Sequence, residues 1–325
     1  MLAVLLALAA AAGYGGSDFA AGLATRRASV VRVTVLAEAT SATLLLCVIP
    51  FVSSEAPSLA SVLWGAAAGA SGVAGAMALY LGFRHAAFSV ASSVSAVGTA
   101  AFSVLAGLAL GERPGALALA GILLAVPAIV GVSAPASRAS RGAEAAVVRS
   151  QAVTVPGQRE PAGRGTAPPG QLGPGGRRFR PAATGRHAAG VGWGLAAGAG
   201  FGLFFIGLDR AGSGTDLWPI TISQLAALVT VTCVAVVTRD LSLPPAGTRR
   251  LSLVTGVASA VGTAMFFLAT HHGLLAITAV ITSLYPAGTI LLARVLLGER
   301  LTRLRLAGLC FAAVSVALIA AGGAG

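Results

Sequence analysis

The chain has 325 residues, of which 56% are hydrophobic and only 10% are charged, and its mean hydropathy is +0.87. A soluble domain of this length does not need so much apolar sequence, so the composition excludes the soluble classes and indicates a membrane protein. The net charge of +12 comes from Arg, since the chain has no Lys, and the Arg residues stand between apolar runs and in one long loop. That placement is typical of membrane-protein loops and argues against a nucleic-acid partner.

The first part of the chain contains five apolar runs. A bilayer-spanning helix needs about 20 apolar residues, and each run approaches or exceeds that length. The first run is interpreted as a retained helix rather than a cleaved leader, because no basic residue precedes it and it continues to Leu23. The predicted helices are 2–23, 30–52, 59–83, 86–110 and 115–133.

A different composition follows the fifth run. Residues 135–187 are rich in Arg, Pro and Gly and poor in large apolar residues, which predicts a disordered linker. Five more predicted helices come after it, at 188–208, 216–238, 251–270, 273–297 and 303–321. We therefore expect an all-α integral membrane protein of ten helices, with five-helix units at 1–134 and 188–325.

The two units look like copies of one another. Leu-Gly-Glu-Arg at 297–300 lies 187 residues after the same tetrapeptide at 110–113. The second helices align at an offset of 186 and the first helices at an offset of 185. Because five is odd, the second copy must start on the opposite face of the membrane, which predicts two inverted repeats with a substrate site between them. Further aligned pairs are Gly75 with Gly262, His85 with His272, Gly121 with Gly308, and Glu38 with Gln224.

Three local patterns predict packing. Gly190, Gly194, Gly198 and Gly202 recur at every fourth residue, and Gly65 and Gly69 share that spacing, which favours close approach between helices. Gly111 and Gly298 are predicted to end their helices in the left-handed conformation, and Thr302 to cap the last helix. The neighbouring Glu112, Arg113, Glu299 and Arg300 are expected to hold the turns in the headgroup layer. Cys47, Cys233 and Cys310 are predicted to be small core residues.

Several of these features together resemble a known family. They are the duplicated Leu-Gly-Glu-Arg turns, the Tyr285-Pro286 pair, and the opening Tyr14-Gly15-Gly16-Ser17-Asp18-Phe19. The chain outside 135–186 resembles the drug/metabolite transporter superfamily, specifically its ten-helix members built of two EamA domains. The resemblance implies export or exchange of small metabolites, amino acids or drugs across a cell membrane. The chain departs from it at Thr99, where the repeat predicts a proline, at Tyr14, where a Trp is usual, and in its long linker.

Two acidic residues are the main candidates for binding. A charge at the centre of a membrane helix costs about 2.5–3.5 kcal/mol on insertion scales, so Glu38 and Asp18 are expected to face the protein interior. We predict that Glu38, together with Asp18, contacts a cationic substrate group or carries an exchangeable proton as the coupling ion. The alternative is a structural hydrogen bond to a neighbouring helix, with Gln224 doing the same in the second unit.

The remaining site predictions concern the substrate path. Tyr14, Tyr80 and Tyr285 are candidates to line it, although aromatic residues also serve as interfacial anchors. Pro286 is predicted to break its helix and free backbone carbonyls near the path. His85 and His272 are expected in turns rather than in a proton relay.

Other classes of function fit less well. The chain has no HExxH or GxxxxGKS motif, so we expect no enzyme, metal or cofactor. The stretch 15–18 loosely resembles a membrane aspartyl protease motif, but no second Asp is well buried in an apolar run. The other reading is a non-transporting scaffold whose Arg-rich linker binds anionic lipid or a partner. Monomer and homodimer both remain open.

Orientation also remains open. Outside the linker, the loops on one side hold about ten Arg, and those on the other hold Arg113 and Arg210. The positive-inside rule then places both termini outside, whereas the family resemblance implies both termini inside.

Overall fold

A computed structural model describes residues 1–52, 56–85, 88–133, 183–212, 216–297 and 302–322. These ranges contain helices and no strand, which agrees with the predicted all-α class. The helices are α1 (Leu2–Thr25), α2 (Val30–Val52), α3 (Leu59–His85), α4 (Phe88–Ala109), α5 (Ala116–Val132), α6 (Ala183–Arg210), α7 (Trp218–Val237), α8 (Ala246–His271), α9 (Leu275–Thr282), α10 (Tyr285–Leu297) and α11 (Arg303–Gly322).

The helices are suited to a membrane. Within the described ranges, nine helical stretches are long and apolar enough to cross a bilayer, and α9 and α10 together form one of them. Helix α5 is apolar but shorter. Helix α6 begins at Ala183, five residues before the predicted start, so the end of the predicted linker is helical. The rest of that linker lies outside the described residues.

The one predicted helix that the structure divides is 273–297. Helix α9 ends at Thr282 and α10 begins at Tyr285. Pro286 lacks the amide hydrogen that would bond to the Thr282 carbonyl, and its ring clashes with that carbonyl, so the helix breaks there as predicted. The corresponding position of α4 is Thr99, whose hydroxyl donates to the Ser95 carbonyl at 2.9 Å within a continuous helix.

The two predicted units interlock rather than lying side by side. In the second unit, α8 packs against α1 and α2 of the first. In the first unit, α3 packs in the corresponding way against α6 and α7 of the second. Helix α4 contacts α6, and α9 and α10 contact α1 in the same way. Three further contacts join corresponding helices of the two units: α2 with α7, α4 with α9, and α5 with α11. Most contact between helices therefore runs between the units, and the larger of these contacts occur in corresponding pairs.

Glycines lie at the points of closest approach between these helices. A Cβ atom on Gly13 would lie 2.8 Å from the Gly262 Cα, and one on Gly200 would lie 2.7 Å from the Gly75 Cα. Gly194, Gly198 and Gly202 meet α4 in the same manner, which confirms the predicted close packing. In these two contacts Gly200 of α6 takes the place of Gly13 of α1, 187 residues earlier. The predicted offset of 185 between the first helices of the two units is therefore wrong. Ala and Gly are frequent enough in both helices to produce matches by chance.

The prediction for the cysteines is also wrong. Cys47, Cys233 and Cys310 are free thiols with exposed side chains, not core residues. A small apolar side chain on a membrane helix loses little by facing lipid, so its hydropathy does not distinguish the lipid face from the core.

The turn at 110–113 is only partly as predicted. Gly111 has a φ of +90°, which confirms its left-handed conformation. Arg113 is exposed, but Glu112 turns inward instead of staying in the headgroup layer. Its Oε1 and Oε2 accept hydrogen bonds from the Leu275 and Ala276 amides at 2.6 and 2.9 Å, so Glu112 caps α9. Thr302 caps α11 through the Arg305 amide at 3.3 Å. Gly298, Glu299 and Arg300 lie outside the described residues.

We predict that Glu112→Gln lowers stability by about 1–2 kcal/mol, because the amide nitrogen of Gln cannot accept the second hydrogen bond and the charge at the helix N-terminus is lost. Thermal unfolding of the purified protein in detergent measures the effect. Arg113→Gln in the same turn is the matched control and should leave the unfolding temperature unchanged. Equal unfolding temperatures for wild type and Glu112→Gln would show that the cap contributes nothing.

Candidate functional site

A cavity lies between the two units. Its volume is about 80 Å³, which is room for several water molecules. The first unit supplies α1, α2, α3 and Thr99 of α4, and the second supplies α6, α7, α8 and Tyr285 of α10. The lining residues are Tyr14, Ser17, Asp18, Val33, Thr34, Ala37, Glu38, Gly69, Gly72, Val73, Ala76, Tyr80, Thr99, Phe201, Phe204, Phe205, Gln224, Ala227, Thr255, Ser259, Thr263 and Tyr285.

The cavity is displaced toward one end of the helix bundle. Its lining comes from the C-terminal half of α1 and the N-terminal parts of α2 and α8, which all lie at the end that carries Arg26, Arg27 and Arg32. The opposite end is filled by a buried apolar cluster that includes Leu208, Phe267 and Leu275. The cavity therefore lies closer to the Arg-bearing end of the bundle than to the opposite end.

Both predicted acidic residues line this cavity. Glu38 Oε2 is buried and has no hydrogen-bond partner among the described residues. Asp18, from the adjacent α1, is half-buried and lines the same cavity as Glu38. The structural hydrogen bond that was the alternative role does not form at Glu38 Oε2, so this oxygen is available to a ligand or a proton.

Gln224 behaves differently from its counterpart Glu38. It is 3% exposed, and its amide donates a hydrogen bond to the Ser41 hydroxyl on α2. The bond joins the two units across the α2–α7 contact. Gln224 therefore lines the cavity but also holds two helices together, which is the structural role considered for it.

All three predicted tyrosines line the cavity, and two of them are oriented by a hydroxyl group. The Tyr14 hydroxyl donates to Thr263 Oγ1 at 3.1 Å, and the Tyr285 hydroxyl donates to Ser95 Oγ at 3.4 Å. Tyr80 is 5% exposed and lines the same cavity as Ser17. Pro286 is buried and is not among the described lining residues, so its effect on the site comes from the helix break that places Tyr285 at the cavity.

The second unit contributes an aromatic wall that the sequence analysis missed. Phe201, Phe204 and Phe205 line the cavity, and Phe205 stacks on Phe266 with ring centroids 4.0 Å apart. At the offset of 187, Phe201 corresponds to Tyr14 and Phe205 to Asp18. An offset of 187 aligns these phenylalanines with predicted site residues of α1 and would have identified the wall. The offset of 185 does not align them in this way.

The other predicted residues lie away from the cavity. Glu112 is at the opposite end, against α9. His272 caps α8 in an exposed turn, and His85 is the last residue of α3, which agrees with the turn positions predicted for both. The arrangement places two carboxylates, three tyrosines and an aromatic wall in one enclosed space, which is suited to binding rather than to covalent chemistry.

Comparison with known proteins adds two findings. Residues 188–321 match the EamA-like transporter family, which confirms for the second unit the resemblance noted in the sequence. A solved structure titled only as the crystal structure of a protein superimposes with a TM-score of 0.63, at 15% identity, over 99% of this chain and 95% of that chain. At that identity the likeness shows the fold alone. No curated protein matches the chain significantly by sequence.

Proposed function

We propose that this chain, whose residues 188–321 match the EamA-like transporter family, is a secondary transporter that moves a small metabolite, amino acid or drug across the cell membrane. Export or exchange is the expected direction. The observation that carries the proposal is Glu38, a carboxylate with an unpartnered buried oxygen at a cavity between two interlocked units. A structural role does not account for such a group, because burying it without a partner costs free energy.

The mechanism we propose is alternating access between two inverted repeats. The paired contacts of α1 with α8 and of α6 with α3 support a pseudo-two-fold relation between the units. A cavity close to one end, with a packed apolar cluster at the other, corresponds to one of the two access states. Glu38 and Asp18 then bind a cationic group of the substrate or exchange it for a proton.

Comparative metabolite profiling tests the proposal. Cells that express the full chain and cells that carry an empty vector are compared for the small molecules inside and outside them. We expect at least one compound class to be shifted across the membrane by the full chain. Absence of any shift, with the protein present in the membrane, would contradict the proposal.

The scaffold alternative is tested in the same experiment. Replacement of residues 135–182 by a Gly/Ser linker of equal length removes the Arg-rich sequence but leaves α6 intact. The transporter proposal expects the metabolite shift to be retained, because the cavity residues are unaffected. The scaffold alternative expects the replacement to abolish function.

A further inference from the structure

We propose that the cavity binds an organic amine with an aromatic or apolar body and no carboxylate; this inference rests on the proposed function. Its basis is the uneven distribution of charge in the site. Asp18 and Glu38 supply two carboxylates from the first unit, and no Arg, Lys or His is among the described residues that line the cavity. An ammonium group therefore finds a partner of opposite charge there, and an anionic group does not.

Glu38 is the position at which the ammonium group binds. Its Oε2 is buried without a partner, although hydrogen-bond donors lie in the same cavity. Two of those donors are engaged elsewhere: the Tyr14 hydroxyl donates to Thr263, and one N–H of the Gln224 amide donates to Ser41. The protein thus leaves this oxygen unsatisfied, and an N–H group of a ligand supplies the missing hydrogen bond.

The second unit accommodates the body of the ligand. At the positions that correspond to the polar Ser17 and Asp18 of the first unit, it carries Phe204 and Phe205. These rings are 7% and 3% exposed and are fixed by packing against one another, with centroids 5.7 Å apart. Aromatic faces attract cations as well as apolar groups, so one wall of the cavity is acidic and the other fits an aromatic or apolar body.

The broken helix offers a carboxylate neither a positive charge nor a cluster of free amides. The N-terminus of a half-helix is the usual place where a membrane transporter holds an anionic substrate group, through free backbone amides. Here the Ser283, Leu284 and Ala287 amides already donate to carbonyls at 2.8, 3.1 and 2.8 Å, and Pro286 has no amide hydrogen, which leaves the Tyr285 amide as the free donor beside the cavity. A zwitterionic amino acid would leave its carboxylate without a partner of opposite charge among the described lining residues, which separates an amine substrate from an amino acid.

Tyramine and tyrosine test this inference, because the two molecules differ only in the carboxylate. The purified full chain is placed in liposomes preloaded with one unlabelled compound, and entry of the same labelled compound is measured against protein-free liposomes. We expect saturable tyramine uptake about 10- to 100-fold faster than tyrosine uptake, the factor lost when a charged group has no partner. Glu38→Gln should remove most tyramine uptake, and Glu160→Gln, in the predicted linker, should retain it.

A second measurement covers the case in which the variant fails to fold. Tyramine should raise the unfolding temperature of the wild-type protein and not that of Glu38→Gln. Tyrosine uptake equal to tyramine uptake overturns the inference and leaves the proposed function standing. Failure of both compounds overturns the inference alone if metabolite profiling shows another class being moved, and overturns the proposed function too if profiling shows none.

Discussion

Glu38→Gln should reduce transport of the natural substrate at least about tenfold while leaving the protein as stable as the wild type, or more stable. Transport falls because the amide cannot pair with a cation or release a proton, and the loss of a charged hydrogen bond corresponds to about 1.5–3 kcal/mol. Stability does not fall because Glu38 Oε2 has no partner to lose. The two measurements are the metabolite shift in cells and the unfolding temperature of the purified variant.

The contrast with Glu112 makes this prediction specific. Both residues are glutamates on the first unit, but Glu112 accepts two backbone amides and Glu38 Oε2 accepts none. The same Glu→Gln change should therefore lower stability at Glu112 and transport at Glu38. If Glu38→Gln lowers the unfolding temperature and leaves transport intact, Glu38 has a structural role and the assignment of the site is wrong.

Gly256→Ala should destabilise the protein by about 1–3 kcal/mol or more, the range for overpacking a tight core. A Cβ atom at this position would overlap the Ala37 carbonyl of α2 and lie 2.7 Å from the Thr40 Cβ. Because the obstacle includes backbone, it cannot be relieved by a side-chain rotation, and α8 would have to move away from α2. We expect a lower unfolding temperature and a smaller yield of monodisperse protein in detergent.

Gly247→Ala, on the same helix, is the matched control. A Cβ atom on Gly247 meets nothing within 4 Å, so its replacement should leave stability unchanged. Gly69→Ala should behave like Gly256→Ala, because it lies 187 residues earlier and its Cβ would overlap the Ser223 carbonyl in the same way. Equal stability of the Gly256 and Gly247 variants would contradict the interlocked packing of the two units.

Much of the fold could be predicted from the sequence because a membrane limits the choices. A chain in lipid must satisfy its backbone hydrogen bonds internally, so apolar runs of the right length are helices. Helix α2 has the predicted bounds, Val30–Val52. The break before Tyr285 could be predicted for an equally local reason, since Pro286 lacks the amide that a continuous helix needs, whereas Thr99 in α4 has one.

The features that could not be predicted depend on contacts between distant parts of the chain. Glu112 caps a helix that begins 163 residues later, and no local pattern identifies that partner. The lipid-facing thiols, such as Cys47, could not be separated from core residues by hydropathy. The acidic half of the site was found because charges are rare in membrane helices, but the aromatic half, which includes Phe205, was not, because aromatic residues are common there.

The central claim is that the cavity between the units is the transport site, and its accessibility from the two sides of the membrane tests that claim most directly. Ser259 lines the cavity on α8, and Ser259→Cys changes only the hydroxyl to a thiol. The variant is made in a background with Cys47, Cys233 and Cys310 replaced by Ser, and a membrane-impermeant maleimide is applied to vesicles of either orientation. Alternating access predicts labelling from both sides. Labelling from only one side in both preparations would contradict it.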